Sequence, residues 1–366
     1  MNLRGLLELL FKKKASDLHL RVGSVPVLRI DGDLFGTRPE LIKEDEMNSL
    51  ITEALTSKQL EKFSQEKELD LALSVPGYGR VRVNVYFQKG TPALAFRAIK
   101  TEIPSFADLH LPKVMADIAE YRRGIVLLTG ATGSGKSTTL ASMIDYINQR
   151  RSANILTIED PVEYIFKNSK SLIAQREVMI DTQSFYAALV HALREDPDII
   201  MVGEIRDQDT MKVALQAAET GHLVLTSLHT LNAVEAVNRI ISFFPLNEQL
   251  QVRSILSGSL QAVVSQRLVQ REDKPGRVPI VETMISTAAI RECLSDPEKM
   301  RQMQGLIEDD RGVRGMQTFD QSILQLYRKG MISHETAIEN ATNVNDLEME
   351  IRGIKSSASR LSDSVQ

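Results

Sequence analysis

The amino-acid sequence predicts an α/β protein with two main domains, and three patterns support this prediction. Between residues 17 and 100, apolar and polar residues alternate in short segments, which is typical of an antiparallel sheet. After Pro104 and Pro112, apolar strands alternate with helical stretches, as in a mostly parallel sheet covered by helices. From Glu248 onward, apolar residues recur at helical spacing. The patterns predict an N-terminal α+β sheet domain (1–100), a linker (101–112), an α/β core (113–270), a helical C-terminal region (271–354) and a disordered tail (355–366).

The elements of the sheet domain follow from this alternation and from its turn dipeptides. The first fourteen residues combine leucines with a basic end, which predicts a helix that packs its leucines on the domain; the alternative is a helix lying on a membrane surface. A single helix is predicted over roughly 43–65. Strands are predicted over 18–22, 27–30, 80–85 and 93–99, and in the second domain over 125–129, 155–158, 199–203 and 223–227.

The composition predicts a water-soluble globular protein. Hydrophobic residues make up 43% of the 366 residues and charged residues 25%, close to the averages for globular domains. The formal net charge of −4 argues against a broad basic field, so no nucleic-acid partner is expected. The single cysteine, Cys293, excludes an intrachain disulfide and favours the reducing cytoplasm. Apolar runs such as 125–128 are far shorter than the roughly 20 residues that span a bilayer.

A phosphate-binding loop follows the first strand of the second domain and precedes a helix that is predicted to start at Ser137. The loop's glycines permit backbone N–H groups to wrap around phosphate oxygens, and the helix N-terminus adds its positive dipole end. Lys136 would contact the β and γ phosphates, and the Ser137 hydroxyl would be a Mg²⁺ ligand. The loop consists of Gly130, Ala131, Thr132, Gly133, Ser134, Gly135, Lys136 and Ser137, followed by Thr138.

Glu204 follows the apolar strand predicted over 199–203. Because ligands bind at the carboxyl ends of parallel strands, this carboxylate is expected in the same crevice as the phosphate-binding loop. There it would orient the attacking water and accept its proton. The alternative is an ion pair with Arg206 or Arg239 at the edge of the sheet.

Acidic and histidine residues follow two further strands. Glu159, Asp160 and Glu163 surround a proline turn, and they would gather near the crevice to hold hydrated Mg²⁺ or position the catalytic carboxylate. Ordinary turn acids are the alternative. His222 and His229 bracket the strand over 223–227, with His229 on the phosphate side, where it would sense the γ-phosphate; a satisfied structural histidine is the alternative.

Four ordered motifs resemble the Walker A, Asp, Walker B and His boxes of the secretion-type ATPases: GATGSGKST (130–138), TIEDPVEY (157–164), IIMVGEIRD (199–207) and TGHLVLTSLHT (220–230). ASDLHLRVGSVPVLRIDGDL (15–34), GRVRVNVYFQKG (79–90) and GMQTFDQ (315–321) resemble the PilT-type pilus retraction motors in particular. The resemblance spans roughly residues 3–345. It implies a PAS-like sheet domain, a RecA-like P-loop domain with a helical C-terminal region, and ATP and Mg²⁺ as cofactors.

The resemblance also implies roles for residues that spacing alone leaves open. Glu204 would be the catalytic base, Glu163 an essential acid of the Asp box, and His222 and His229 the His-box pair. It implies a homo-hexameric ring in which the sheet domain of one subunit packs on the ATPase domain of its neighbour. Such a motor would work at the cytoplasmic face of the inner membrane, in peripheral contact with a platform protein and the pilus machinery.

Arginines of the sheet domain would then reach the nucleotide as finger-like cations. In other P-loop systems such a cation contributes about 10³ to 10⁵ in rate. Arg82 and Arg97 are the main candidates, and the sequence does not separate them from Arg80. The alternative is that they are cross-strand charge partners on a solvent face.

Two absences narrow the branch of the superfamily. Assembly motors carry an extra N-terminal domain and commonly a four-cysteine zinc module, whereas this chain starts at the sheet domain with one cysteine. Retraction is therefore favoured over extension, and a pilus-assembly or type II secretion ATPase is the alternative. PilT proteins resemble each other in a segment reading AIRNLIRE, where this chain has AIRECLSD over 289–296, which raises an accessory PilU-like paralogue as an alternative.

A DNA motor is disfavoured because the chain has no Trp and only 5% aromatic residues. A non-hydrolysing switch is disfavoured by Lys136, Ser137 and Glu204.

Overall fold

A computed structural model describes residues 2–310 and 312–353, and the chain divides into two compact units. The sheet unit comprises the chain up to Glu102 together with Val162–Phe166. The P-loop unit comprises Ile103–Pro161 and the chain from Lys167 onward. The division lies next to the linker predicted over 101–112, but the return of Val162–Phe166 to the sheet unit has no counterpart in the sequence patterns. The predicted disordered tail, 355–366, lies outside the described residues.

The sheet unit is built on a six-stranded antiparallel sheet with the order β3-β2-β1-β6-β5-β4. Its strands are β1 Asp17–Arg21, β2 Val27–Ile30, β3 Asp33–Gly36, β4 Glu68–Val75, β5 Gly79–Gln88 and β6 Thr91–Ala98. On β5, Val81, Val83 and Val85 are buried while the residues between them are only partly covered. This alternation confirms the predicted antiparallel sheet, because period-two burial means that one face packs on the core.

Helix α1 (Leu3–Lys12) covers the core of this unit. Its N-cap Asn2 accepts a hydrogen bond from the backbone N–H of Gly5 at 2.8 Å, which satisfies one of the free donors of the first turn. Leu3, Leu6, Leu7 and Leu10 are buried in the core, as the sequence predicted for this segment. The leucine row therefore serves packing within the unit.

The single helix predicted over 43–65 is wrong, because the structure has two helices there, α2 (Glu44–Ala54) and α3 (Ser57–Glu66). The break falls at Thr56, which begins α3 with a capping box. The Thr56 side chain accepts from the Gln59 N–H at 3.4 Å, and the Gln59 side chain accepts from the Thr56 N–H at 2.9 Å. A capping box starts a new helix inside a continuous helical pattern.

The P-loop unit is built on a seven-stranded sheet with the order β13-β12-β7-β11-β10-β8-β9. Neighbouring strands are parallel except for β12 and β13, which form an antiparallel pair at one edge. The loop-bearing strand β7 thus lies between β11 and β12, as in a RecA-like sheet. The strands are β7 Gly124–Thr129, β8 Asn154–Glu159, β9 Leu172–Glu177, β10 Ile199–Val202, β11 Leu223–Leu228, β12 Leu260–Gln270 and β13 Arg277–Ile285.

Helices cover both faces of this sheet, as the buried strands β7 and β11 require. Among the residues that the structure describes, no helix has the length and apolarity that crossing a membrane would need. The helices are α4 Val114–Ala119, α5 Lys136–Arg150, α6 Phe185–Ala192, α7 Gln208–Glu219, α8 Ala233–Ser242, α9 Leu246–Ser259, α10 Ala288–Ser295, α11 Met303–Asp310, α12 Phe319–Arg328, α13 His334–Asn340 and α14 Val344–Ile351, with a 3₁₀ helix at Pro297–Gln302.

The prediction of a mainly helical chain from Glu248 onward is wrong for 260–285, where β12 and β13 lie. Leu260 and Val264 have helical spacing, but this segment pairs with β7 and so forms a buried strand. Short apolar runs fit both periods, and tertiary pairing decides between them. Beyond β13, the region is helical as expected.

The GMQTFDQ segment (315–321) joins this helical region to the sheet. Gln317 forms an antiparallel bridge with Thr283 of β13, and its side chain donates to the Val281 carbonyl at 2.8 Å. A Cβ at Gly315 would lie 2.4 Å from Val114, so only glycine fits there. The segment therefore packs against α4, pairs with β13 and leads into α12.

Candidate nucleotide-binding site

The phosphate-binding loop connects β7 to α5 over residues 130–135. Gly130 has φ +142°, and a Cβ there would lie 2.3 Å from the Gln266 carbonyl oxygen of β12. No side chain fits so close to a backbone oxygen, so Gly130 is required for packing as well as for conformation. Gly133 and Gly135 also have positive φ values, +78° and +95°.

The N-terminus of α5 has the features of an anion site. Gly135 occupies the N-cap position, and within residues 2–310 and 312–353 no side chain caps the helix. Its first N–H groups are therefore directed toward the loop without a side-chain acceptor. The Ser134 hydroxyl is buried and has no hydrogen-bond partner in the described part of the chain. Ser137, in the first turn, is exposed.

Lys136 folds over the same loop. Its ammonium donates to the carbonyls of Gly130 at 2.8 Å and Ala131 at 3.0 Å, and the residue is only 8% exposed. Burial lowers the pKa of Lys136, and the negative charge of Glu204 opposes this shift. The two side chains thus share one electrostatic environment, although 68 positions separate them in the chain.

Strand β12 supports the loop on both faces of the sheet. On one face, Thr129 Oγ1 donates to Ser265 Oγ at 2.9 Å. On the other, the Gln266 amide pairs with the Thr139 hydroxyl of α5 at 3.0–3.1 Å. Sequence reasoning missed these supports because it assigned the segment to a helix; the run of β-branched residues at 263–264 was the available signal.

Glu204 and His229 meet at the carboxyl ends of two neighbouring strands. Glu204 follows β10, His229 follows β11, and His229 Nε2 lies 3.0 Å from Glu204 Oε2. The Glu204 side chain is 13% exposed and that of His229 49%. Ser227 holds the two ends together, because its hydroxyl donates to the Gly203 carbonyl at 2.6 Å. The sequence predicted both positions, and the structure joins them.

The other Glu204 oxygen, Oε1, pairs with the guanidinium of Arg206, which is largely exposed. This ion pair was the structural alternative for Glu204, and it coexists with the contact to His229. It also raises the pKa of Arg206 through the hydrogen bond with Glu204. Both oxygens of the carboxylate are therefore oriented by neighbours.

The three carboxylates predicted to gather at the crevice differ in their surroundings. Glu159 ends β8, is buried, and accepts hydrogen bonds from Thr157 at 2.6 Å and Gln175 at 3.0 Å. Asp160 follows it and is exposed. Glu163 is exposed within the Val162–Phe166 segment of the sheet unit, so it belongs to a different unit from the other two.

His222 lies away from the loop, contrary to its predicted place in nucleotide binding. It precedes β11, whose first residue pairs with the first residue of β7, whereas the loop follows the last. Its Nδ1 contacts the Ala217 carbonyl at 3.0 Å and the Thr220 hydroxyl at 3.2 Å. Six residues of strand, roughly 20 Å, separate it from His229. The structural alternative fits His222 better.

The candidate arginines lie side by side on the polar face of the sheet unit. Arg82 and Arg97 are directly opposite on β5 and β6. Arg97 Nε donates to Asp17 at 2.8 Å while its side chain remains 74% exposed, and Arg82 Nε lies 3.8 Å from Asp70. The cross-strand charge pairs anticipated as the alternative are thus present. Arg80 is half-buried, and its Nε has no hydrogen-bond partner among the described residues.

A cavity of about 400 Å³ opens beside the loop, and sequence reasoning missed it. The segment before α4, formerly assigned to the linker, forms one wall with His110, whose Nε2 lies 2.7 Å from Arg271 on the opposite wall. Burial, followed by the charge of Arg271, lowers the pKa of His110. Asp108, Leu111, Leu268 and Pro279 line the cavity, and Ser134, Gly135 and Thr138 connect it to the loop.

These features define a P-loop nucleotide-binding protein of RecA-like topology. Residues 105–343 match the type II/IV secretion system protein family. The chain is similar to the type IV pilus retraction ATPase PilT of Pseudomonas aeruginosa, at 44% identity over 93% of this chain and 98% of that protein. It is also similar to the type IV pilus ATPase PilU of the same organism, at 38% identity over 100% of this chain and 96% of that protein.

Among solved structures, the pilus retraction motor PilT with bound ADP superposes with a TM-score of 0.87, at 42% identity over 95% of this chain and 99% of that chain. The chain belongs to the type II/IV secretion system protein family, in its PilT-type branch.

Proposed function

We propose that this chain is an ATP-hydrolysing motor that drives type IV pilus retraction. The observation that carries the proposal is the joint placement of a complete phosphate-binding loop and the Glu204–His229 pair at the same edge of one sheet. That arrangement supplies both phosphate binding and water activation. The similarity to PilT over nearly the whole chain supports retraction as the work that hydrolysis drives.

In this proposal the loop holds the β and γ phosphates. Lys136 exchanges its contacts with the Gly130 and Ala131 carbonyls for phosphate oxygens, and the uncapped N-terminus of α5 donates N–H groups. The exposed Ser137 hydroxyl fits a Mg²⁺ ligand, and few protein ligands are needed because Mg²⁺ keeps waters and phosphate oxygens. When bound, Mg²⁺ neutralises charge that develops on the phosphate. Asp160 and Glu159 would act at the rim of this site.

Glu204 is the proposed catalytic base. It orients the attacking water and accepts its proton, while His229 reports the presence of the γ-phosphate through its contact with the same carboxylate. Arg206 keeps the second carboxylate oxygen engaged, so the carboxylate does not rotate freely. When the substrate binds, one oxygen of the carboxylate would have to turn toward the water while the oxygen that contacts Arg206 stays in place.

The cavity beside the loop is the proposed seat of the nucleoside. It begins at Thr138, next to the first turn of α5, so a nucleotide whose terminal phosphates occupy the loop would extend into it. Leu268 and Leu111 provide apolar walls for the base, and His110 and Arg271 provide polar groups. The walls come from segments that the sequence divided among the linker, the core and the helical C-terminal region.

The motor is proposed to be a homo-hexamer at the cytoplasmic face of the inner membrane, in contact with a platform protein and the pilus machinery. Arg82 and Arg97 would reach the nucleotide of a neighbouring subunit, since their exposed guanidiniums face away from the core of their own unit. Glu163, also exposed, is proposed to act with them. His222 is left out of the proposed nucleotide site.

An accessory motor of the PilU type is the second candidate. Its support is the similarity to PilU over the full chain and the departure from AIRNLIRE at 289–296. Both candidates hydrolyse ATP with the same residues. A host strain that lacks its retraction ATPase separates them, since a retraction motor restores twitching alone and an accessory motor does so only with its partner.

The proposed chemistry is tested by comparing wild type with Glu204→Gln. We expect the substitution to reduce kcat by about 10²- to 10⁴-fold, because the amide cannot accept the proton, while binding of fluorescent ADP is kept. Steady-state phosphate release and light scattering of the same samples provide the measurement. Glu219→Gln, an exposed carboxylate at the end of α7, is the matched control and should behave as wild type.

Unchanged kcat in Glu204→Gln would remove Glu204 from the mechanism. Full activity in a stable monomer would exclude the ring. Activity that rises with assembly and is lost in the variant would support a ring ATPase.

A further inference from the structure

A row of buried polar side chains crosses three strands next to the phosphate-binding loop. Thr129 ends β7, Ser265 pairs with it on β12, and Glu282 lies opposite Ser265 on β13. Thr129 donates to the Ser265 hydroxyl at 2.9 Å, and Glu282 is the cross-strand partner of Ser265. All three residues are at most 2% exposed. The row therefore begins at the residue that immediately precedes Gly130.

The other end of the row reaches the helix that follows His229. Glu282 Oε1 accepts the backbone N–H of Ala233, the first residue of α8, at 2.8 Å. Only Thr230, Leu231 and Asn232 lie between Ala233 and His229. Glu282 thus ties the end of the short His229 loop to β13, which pairs with β12 beside the strand that carries the phosphate-binding loop.

A carboxylate is a costly choice for this position. Burial raises the pKa of Glu282, and the hydrogen bond from Ala233 opposes the shift. Its neighbours on β13, Val281 and Ile280, are buried apolar residues, which fill a sheet at lower cost. A buried carboxylate that accepts a backbone N–H from another element favours one arrangement of the elements that it joins.

We propose that Glu282 is a positioning residue for ATP hydrolysis, which holds the N-terminus of α8, and through it His229, in register with the phosphate-binding loop at Thr129. The inference rests on the proposed role of His229 at Glu204. What matters in this mechanism is the reach of the side chain to the Ala233 N–H, since a displacement of about 1 Å at the His229 loop is enough to slow the chemistry.

The test compares Glu282→Asp with Glu282→Gln in the full-length protein. Aspartate keeps the carboxylate but is one methylene too short to reach Ala233, whereas glutamine keeps the reach and its Oε1 acceptor. We expect Glu282→Asp to lower kcat by roughly 10- to 100-fold and Glu282→Gln to stay within about threefold of wild type. The affinity for fluorescent ADP should stay within about threefold in both.

A double mutant shows whether Glu282 acts through His229. If it does, Glu282→Asp combined with His229→Ala should have the same kcat as His229→Ala alone. Val281→Ala, which truncates a buried neighbour on the same strand, is the control for a loss of stability: it should lower Tm and leave kcat unchanged.

The proposal is overturned if Glu282→Asp retains the wild-type kcat, if Glu282→Gln is the more damaging variant, or if the losses in the double mutant multiply. Equal losses of kcat in Val281→Ala and Glu282→Asp would also overturn it, as a general effect of destabilisation. The proposed function fails separately, when Glu204→Gln or His229→Ala hydrolyses ATP like wild type.

Discussion

The two units of this chain expose their sheets in opposite ways. In the sheet unit the strands pair antiparallel and bury one face, so that Arg82 stands between the buried Val81 and Val83 with its side chain on the other face. In the P-loop unit, β7 and β11 are buried at every residue, and neither face is left for a ligand. In the first unit, functional side chains can therefore lie on the exposed face of the sheet. In the second unit, they can lie only at the ends of the strands.

This difference explains why the two sets of candidate residues have different partners. At the strand ends, Glu204 and His229 contact each other, and the charge of Glu204 acts on Lys136, so these three side chains interact within one unit. On the face of the sheet unit, the ion pairs that Arg82 and Arg97 form with described residues are with carboxylates of the same face. In the proposed ring, a cation there acquires a catalytic role when a second copy of the chain brings a nucleotide to it.

Substitution of Arg97 has the largest expected effect and tests whether the polar face of the sheet unit has a catalytic role. If the polar face serves a neighbour's nucleotide, Arg97→Ala should reduce kcat by about 10³-fold, because a finger-like cation is lost from the transition state. Steady-state hydrolysis by assembled protein measures this. Arg21→Ala, an exposed arginine at the end of β1, is the matched control and should keep the wild-type kcat.

An Arg97→Ala variant with wild-type kcat would mean that the face carries only charge pairs. In that case Arg97→Ala would affect only the stability of the protein, by about 1 kcal/mol or less, as is typical of an exposed ion pair. Asp17, whose side chain is 10% exposed, would lose its contact with Arg97. Thermal melts of the same samples separate the two readings.

The sequence predicted the strand ends well because each combines a buried strand with the chemistry that follows it. Glu204 follows the strand over 199–202 closely in the chain, and His229 follows the strand over 223–228. One local pattern therefore specifies each strand together with its functional residue. The contact between the two side chains was not predicted, although parallel strands that end at a common edge bring such residues together.

The supports of the site were not predictable in this way. Ser265 and Gln266 contact the loop from a strand whose apolar spacing also fits a helix, and only pairing with β7 decides its state. The cavity joins His110 to Arg271, which are 161 positions apart, and no local pattern connects them. Long-range contacts of this kind require the sheet order to be known first.

Two glycines, one in each unit, show a further difference between the units, and here the expected effect is of intermediate size. In the sheet unit, Gly32 has φ +97° and nothing within 4 Å of an added Cβ, whereas at Gly130 a Cβ would meet the Gln266 carbonyl. We expect Gly130→Ala to lower the free energy of unfolding by about 3 kcal/mol, from both backbone strain and this collision. Urea unfolding followed by circular dichroism measures the loss.

Gly133→Ala is the matched control for that prediction, because Gly133 has φ +78° but nothing within 4 Å of its Cβ position. Its loss should be limited to the left-handed backbone, about 1–2 kcal/mol. Equal losses in the two variants would show that β12 yields to the added methyl group, and that the loop is less firmly held than the strand packing indicates.

The smallest effect concerns His110, which decides whether the segment before α4 is a linker or a wall of the nucleotide cavity. Burial and Arg271 lower its pKa below the ordinary 6.5, and its Nε2 faces the Arg271 guanidinium at 2.7 Å, an acceptor role that requires the neutral ring. The depressed pKa means that the unfolded chain takes up the proton first as pH falls. The contribution of His110 to stability is therefore present above about pH 6.5 and is lost below it.

His110→Gln keeps an acceptor for Arg271 but does not titrate, so its Tm should fall less than that of wild type between about pH 7 and pH 5.5. His191→Gln, a histidine on α6 that is far from the cavity in sequence, serves as the control and should follow the wild-type profile. Parallel profiles for wild type and His110→Gln would show that the ring is not held against Arg271 in solution. The segment would then act as a linker, and the nucleoside seat would lose one of its walls.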